Sequence, residues 1–477
     1  RLSQREGAVS NQQPESLYQK RIPIFTREVK GKFRTFKSAV LYFGLAVFYL
    51  LPWLPWPRGE NIPNQAVLFD LASRRFYVLG LDVDIQNIMW LAGVLMLFAF
   101  FLFFITNIAG RVFCGYFCFQ TIWTDLFIKI EGWIQGGRNK RQKLYDMPWG
   151  GEKLLRVGGT WLTWLVVAVW TGFTFTAYWT PATELFVTFF SGQAPFAAYG
   201  TTLFITTTTF IMAGFAREQV CSYMCPYARF QGVMFDKDTL VVAYDEKRGE
   251  GANGRAKPVK ELRDLNTRHE AGHGDCVDCD LCVQVCPAGI DIRDGLNYKC
   301  ITCGLCIDAC NTMMTKTGYP TGLIRYDSLN GLEGKKTHFM KPRNIGYGAV
   351  ILVVMGVLAW SIMTSAQMSF LLEKTRTPAF TRMSDGLIQN RYTLKLNNLT
   401  MTPKSVEVKL VDPKDITLSI PENHETLAPG IRRNWSMLIH QKVQSAPTQP
   451  VNLEILVKDE QGKVMETHNL SSTFVTK

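Results

Sequence analysis

"CVDCDLCVQVCPAGIDIRDGLNYKCITCGLCIDAC", residues 276–310, holds eight of the chain's twelve cysteines. They form two runs of one spacing. Cys276, Cys279, Cys282 and Cys286 follow CxxCxxCxxxC, with Pro287 after the last, and Cys300, Cys303, Cys306 and Cys310 repeat the pattern. A tight CxxCxxC loop wraps three corners of a [4Fe–4S] cube, and in two-cluster bacterial ferredoxins the fourth thiolate comes from the other run. The spacing predicts one cluster on Cys276, Cys279, Cys282 and Cys310 and a second on Cys300, Cys303, Cys306 and Cys286. Asn311 stands where a proline usually follows and removes no ligand. Zinc would need C-x2-C pairs in tetrahedral sites, a poorer match to two complete runs of four.

Around this segment the chain reads as a membrane protein. Its 477 residues suffice for more than one domain, and 47% are hydrophobic and 12% aromatic. Stretches near 38–54, 86–109, 158–180, 197–216 and 344–365 approach or exceed the roughly 20 apolar residues of a bilayer span. None carries Lys, Arg, Asp or Glu in its central part. "TTLFITTTTF" (201–210) is the least apolar, but threonine hydroxyls can bond back to helix carbonyls.

The net charge of +12 is spread unevenly between these segments, which points to topology and against a nucleic-acid partner. Residues 1–37 hold nine Lys or Arg against three acids, and 110–157 hold eight against four. The 55–85 loop holds three against four, and 181–196 holds no Lys or Arg. The positive-inside rule therefore predicts that the N-terminus, the 110–157 loop and the 217–343 segment are cytoplasmic, with the region from about 366 on the opposite side. That compartment argues against structural disulfides in the cysteine-rich segment. The chain opens on Arg1, which leaves room for an upstream piece, and no apolar signal-peptide core precedes Ser38.

The tail alternates. "RYTLKLNNL" (391–399), "SVEVKLV" (405–411) and "VNLEILVKD" (451–459) are short runs separated by turn residues, the pattern of an antiparallel immunoglobulin-like sandwich. It has no cysteine for an inter-sheet disulfide, and it reads as a docking or stabilising module.

Four cysteines remain, again paired. "GRVFCGYFCFQ" carries Cys114 and Cys118 after the second span, and "AREQVCSYMCPYARFQG" carries Cys221 and Cys225 after the fourth. If helix continues through each pair, i and i+4 share a face. Arg111 and Arg217 mark the cytoplasmic boundary, so two spans deliver four thiols to one depth. These thiols can pack as small apolar residues, share a Cys₄ iron–sulfur site, bind copper, since soft sulfur favours Cu(I), or cycle as disulfides. The six histidines, His269, His273, His338, His424, His440 and His468, all lie outside the spans, which argues against a bis-histidine membrane haem. No phosphate loop or dinucleotide fingerprint is visible. His269 and His273, just before the first run, read as an exposed pair.

"RVFCGYFCFQTIWTDLFIKIEGWIQG", "CSYMCPYARFQGVMFD", the paired cysteine runs and "TGYPTGLIRY" together resemble the FixG/RdxA/CcoG family of membrane polyferredoxins of Gram-negative bacteria, over essentially the entire chain. The layout expected is a cytoplasmic basic segment (1–37), transmembrane helices 1–4 (38–216), a ferredoxin-like domain with two [4Fe–4S] clusters (217–343), a fifth helix (344–365) and a periplasmic immunoglobulin-like domain (366–477). The resemblance implies an inner-membrane cupric reductase that serves assembly of cbb3-type cytochrome c oxidase. Cys114, Cys118, Cys221 and Cys225 would then be the candidate copper and catalytic residues. The partners implied are lipid, copper, a cytoplasmic electron donor, a copper chaperone or transporter and oxidase assembly factors; homo-oligomer formation is left open. A quinol-linked electron conduit and a non-catalytic assembly scaffold are the rival readings. Family members usually carry CxxxCP at both thiol pairs. Here Pro226 follows Cys225 but Phe119 follows Cys118, which puts the local shape at Cys118 in question, because proline restricts the residue before it.

Overall fold

The computed structural model describes residues 23–475 apart from short stretches at 58–62, 85–87, 260–261, 365–367, 376, 385, 399–401, 412–415, 420–423, 429–430, 443–447 and 460–461. Much of the expected N-terminal basic segment, through residue 22, thus lies outside the described residues. Among the described residues, five helices are long and apolar enough to cross a membrane: Lys32–Trp53, Ile88–Ala109, Gly151–Ala177, Phe196–Ala216 and Pro342–Met363. Phe98, Leu162, Leu203 and Leu352 on them are exposed, the arrangement expected where lipid is the solvent. In the threonine-rich fourth span, the Thr202 hydroxyl meets that of Thr176 on the third at 2.9 Å. Gly172 permits this approach, for a Cβ there would stand 2.4 Å from the Thr202 carbonyl oxygen. Small and hydroxyl residues are what close helix contact in a bilayer selects.

The chain divides into two compact units. One comprises residues 45–101, 169–206 and 345–477. Its C-terminal part is the expected sandwich. One sheet runs in the order Ile416–Ser419, Arg432–Lys442, Leu387–Asn398 and Met368–Lys374, and the other His424–Leu427, Lys404–Leu410, Thr448–Lys458 and Val464–Val475. Period-two alternation turns Tyr392, Leu394 and Leu396 of one sheet and Leu453, Ile455 and Val457 of the other into a shared core. The 55–85 connection, read from charge only as a loop, contains an antiparallel meander of Val67–Asp70, Arg75–Val78 and Leu81–Asp84. Its strands are four residues each, too short for alternation to declare them.

The other unit comprises residues 1–44, 102–168 and 207–344. Val241–Tyr244 pairs antiparallel with Ile324–Asp327, and Val242, Val277, Ile292, Ile307, Leu323 and Ile324 pack a core beside the two cysteine loops. The helix Leu305–Thr317 presents Asp308 to the start of the first span. Its carboxylate accepts from the backbone N–H of Phe33 at 3.4 Å and of Arg34 at 2.8 Å. Those are unsatisfied donors of a helix N-terminus, where negative charge is favoured. The contact ties the ferredoxin segment to that end of the first span.

Candidate functional site

The two cysteine loops share one backbone design. Asp278 and Asp280, two and four residues after Cys276, have φ of +46° and +56°, and Thr302 and Gly304, at the same offsets from Cys300, have +49° and +71°. Left-handed residues at alternate positions curl each CxxCxxC around a hollow. Aspartate tolerates that region, and here Arg293 anchors both, bonding Asp278 at 2.8 Å and Asp280 at 2.7 Å.

Two hollows lie beside the cysteine loops. One cavity is lined by Cys276, Cys279, Cys282 and Cys310. A second is lined by Cys286, Cys300, Cys303 and Cys306, with Cys282 on the border between the two. Each run thus contributes its fourth cysteine to the other's cavity. All-thiol, otherwise mostly apolar walls fit [4Fe–4S] cubes. Burial pushes the Cys282, Cys300 and Cys310 thiols up to about 12 and Cys286 to about 11, so cluster binding there must release protons. The Thr302 N–H points at the Cys300 sulfur from 3.4 Å, the kind of bond that tunes a cluster. His269 bonds Asp275 at 2.7 Å and His273 meets the Gly254 carbonyl at 3.2 Å, so both have structural partners.

The four remaining thiols converge, though not as i and i+4 of continuous helices. Helix stops between the members of each pair. Cys114 lies in the short helix Val112–Tyr116, and Cys118 caps the next, Phe119–Gln135, in extended conformation (φ −65°, ψ 129°). Cys225 likewise caps Pro226–Met234 (φ −79°, ψ 111°). Pro226 enforces that shape on the residue before it. Cys118 takes it without a proline, so Phe119 does not alter the local backbone.

Each pair therefore places its second thiol at a helix N-terminus, where backbone N–H groups favour thiolate. At Cys118 burial raises the pKa, while the Gln120 and Thr121 N–H groups pull it down. Burial pushes Cys114 up to about 11, and Arg111 opposes it. Cys221 is raised to about 12 by burial and by its three companion thiols. Among the described residues, no three His, Cys, Asp or Glu side chains come close enough to enclose a single ion.

Arg111 and Arg217 do more than mark the span boundaries. Arg111, almost wholly buried, bonds Gln231 at 3.1 Å and the Tyr298 carbonyl. Gln231 in turn accepts from the Cys114 thiol at 3.3 Å. The Arg111 charge acts on Cys114, Cys221 and, across in the second cluster loop, Cys300. Two neighbours complete the docking. Tyr116 donates to the Cys303 carbonyl at 2.8 Å, and a Cβ on Gly115 would stand 2.6 Å from the Ile301 carbonyl oxygen. A cavity of about 40 Å³ lies between Cys221 and Glu218 on one side and Pro287, Ala288 and Ile301 on the other, enough for more than one water-sized species.

Arg217 is a strain point. Its φ is +42° between the π-helical turns Phe210–Ala216 and Val220–Met224, a geometry costing on the order of 1–3 kcal/mol. Glu131 at 2.7 Å and the Trp164 ring at 5.3 Å hold it. The broken turns bring Cys221 and Cys225 to the other pair, and π turns concentrate at functional sites. Sequence alone offered no sign of it.

A 4Fe-4S dicluster domain model matches residues 216–329, and a 4Fe-4S binding domain model matches 88–141, where Cys114 and Cys118 are the only cysteines. A model described as the IG-like fold at the C-terminal of FixG matches 358–477. Protein RdxB of Cereibacter sphaeroides is 39% identical over 434 residues, 89% of each chain. Nitrogen fixation protein FixG of Rhizobium meliloti is 37% identical, covering 83% of this chain and 80% of its own. Protein RdxA of C. sphaeroides is 39% identical over 81% of each chain. With the cysteine cavities, the five apolar helices and the terminal sandwich, these likenesses make the chain a member of the FixG/RdxA family of membrane iron–sulfur oxidoreductases.

Proposed function

We propose that the protein reduces Cu(II) to Cu(I) at the Cys114, Cys118, Cys221 and Cys225 thiols and releases Cu(I) for assembly of a cbb3-type cytochrome c oxidase in the bacterial inner membrane. The observation that carries the reading is the docking of the Cys114 helix, through Arg111, Gly115 and Tyr116, onto the loop that bears Cys300 and Cys303. When bound, the clusters supply one-electron carriers. The chain's own residues do the rest. The thiols offer soft ligands that favour the cuprous product, with N-terminal amides at Cys118 that favour its thiolate, and the cleft beside Cys221 gives the ion a way in. Each turnover takes one electron from a cytoplasmic donor and converts one Cu(II) to Cu(I), which leaves to a chaperone or transporter. The N-terminus and ferredoxin domain would face the cytoplasm and the sandwich the periplasm. The Asp308 bond to the first span supports placing the ferredoxin at that end.

The test is anaerobic. Reduced protein receives stoichiometric Cu(II) with a Cu(I)-specific chromophore, beside a Cys114→Ser/Cys118→Ser variant of matched iron content. Rapid Cu(I) formation with cluster bleaching, lost in the variant, is expected; equal rates would refute a thiol-centred site. One observation favours a second reading. The family model over 88–141 describes a 4Fe-4S binding domain whose only cysteines here are Cys114 and Cys118. A third cluster on the four thiols would raise the iron content from two cubes to three.

A further inference from the structure

A cavity of about 650 Å³ opens in the ferredoxin-bearing unit and borders the small cleft beside Cys221 through Lys37, Asp125, Ile128 and Pro287. Its volume is that of a small-molecule site, roughly 300–1,000 Å³. Three walls meet there: the start of the first span with the segment leading into it, the helix Phe119–Gln135 with the following helix Arg138–Asp146, and the cysteine-bearing stretch from Leu281 to Lys316.

The charge of this lining is one-sided. Arg27, Lys30, Arg34 and Lys37 come from the first wall, Lys129 and Arg141 from the second, and Lys316 from the third. Among the described residues, the only carboxylates in the lining are Glu28 and Asp125. Asp125 is already engaged by Arg34 at 2.8 Å, with Lys37 at 3.9 Å. Lys30 and Lys316 are exposed and make no ion pair among the described residues. Arg141 is 3% exposed, and its Nε and Nη1 find no hydrogen-bond acceptor among the described residues. Its nearest carboxylate, Glu131, lies 3.7 Å away, beyond hydrogen-bond reach.

Cations gathered on facing walls repel one another and concentrate anions. Forked guanidinium and ammonium donors suit phosphate oxygens. Pro287 and Leu305, next to Cys286 and Cys306 of the second cluster set, line the same space. Exposed Tyr42 and Trp133 also line it, and such aromatics favour the membrane–water interface. We propose that this cavity binds a phosphate-bearing anion beside the second cluster. Two sources share that chemistry: an anionic phospholipid headgroup and a soluble phosphorylated molecule of nucleotide size. The inference stands independently of copper reduction.

Two arms separate the sources, both on the full chain with clusters loaded. In the first, protein in phosphatidylcholine nanodiscs is titrated with flavin mononucleotide, with riboflavin as the phosphate-free control. In the second, protein is equilibrated with mixed phosphatidylglycerol and phosphatidylcholine micelles, and retained lipid is counted by mass spectrometry. Lys30→Glu/Lys316→Glu is run in parallel, with iron content and visible absorption as the check on folding. Lys30→Gln/Lys316→Gln is read the same way should charge reversal impair folding. Binding of flavin mononucleotide but not riboflavin in the first arm, or retention of anionic phosphatidylglycerol in preference to zwitterionic phosphatidylcholine in the second, weakened about ten-fold or more in the variant, supports the site, and the responding arm names the source. Absence of both preferences, or equal binding by wild type and variant, overturns it.

Discussion

Gly115→Ala probes the seam between the thiol helix and the second cluster loop with a single methyl group. The added Cβ would lie 2.6 Å from the Ile301 carbonyl oxygen and 3.1 Å from the Cys303 Cα. Both neighbours are backbone, so no side chain can swing aside. Ordinary contact begins at 3.4 Å, so the two backbones must part by about 0.8 Å. Overpacking of this kind costs about 1–3 kcal/mol, equivalent to roughly 5- to 150-fold in the docked equilibrium. The displacement also stretches the Tyr116 bond to the Cys303 carbonyl, now 2.8 Å. Gly150→Ala, where nothing lies within 4 Å, is the control. Hydrogen exchange at residues 112–121 should accelerate in Gly115→Ala and stay unchanged in Gly150→Ala. Cu(I) formation should slow by a similar factor while iron content holds. Wild-type exchange and wild-type rates in Gly115→Ala would refute the docking argument, because a methyl cannot occupy that space without movement.

Three further outcomes are expected. Cys310→Ser should perturb the paramagnetic signature of the same reduced cluster as Cys276→Ser, and Cys286→Ser that of Cys300→Ser; the opposite grouping would overturn the crossed ligand sets. Arg111→Gln removes the charge that lowers Cys114 and Cys221, so in cluster-depleted protein their alkylation profiles, with pKa values already about 11 and 12, should move further alkaline. Burial alone would raise the Asp125 pKa, but Lys37 and Arg34 outweigh it and hold it below the ordinary value. Its stabilising contribution is therefore full above the unfolded carboxylate range and lost as pH falls through the lowered folded value. Asp125→Asn should cost about 3 kcal/mol at neutral pH, and melting curves of variant and wild type should draw together in acid; parallel curves down to the lowest workable pH would sink that assignment.

How much of this was legible depends on how far apart the cooperating residues lie. A CxxCxxC loop encodes its curl locally, so a hollow beside each cysteine run was legible in the spacing. The five apolar helices were equally plain, because roughly 20 uncharged residues in a row leave few alternatives. The convergence of Cys114, Cys118, Cys221 and Cys225 could be inferred from where two spans end. Its geometry could not. Continuous helix was the simplest extrapolation through Cys118, since Phe119 offers no break of the kind Pro226 imposes after Cys225. Nor does any local signal set Arg217 at a positive φ; Glu131, some eighty residues away, holds it there.

The same distinction governs what the basic residues mean. Read along the chain, the cations of residues 1–37 report topology, because any lysine or arginine near a span end serves that purpose. Their second role arises only when Asp308 binds the first turn of the first span, across 274 residues of sequence. That bond holds Lys30 and Arg34 beside the helix that carries Lys316 and the second cluster's Cys306. A charge count cannot distinguish a dispersed positive flank from a positive cavity, whereas one carboxylate at a helix N-terminus can. Asp308→Ala should therefore weaken the anion site without removing a single cation from it. Loss of phosphate-dependent binding in that variant, with iron content intact, would separate assembly of the cavity from its charge.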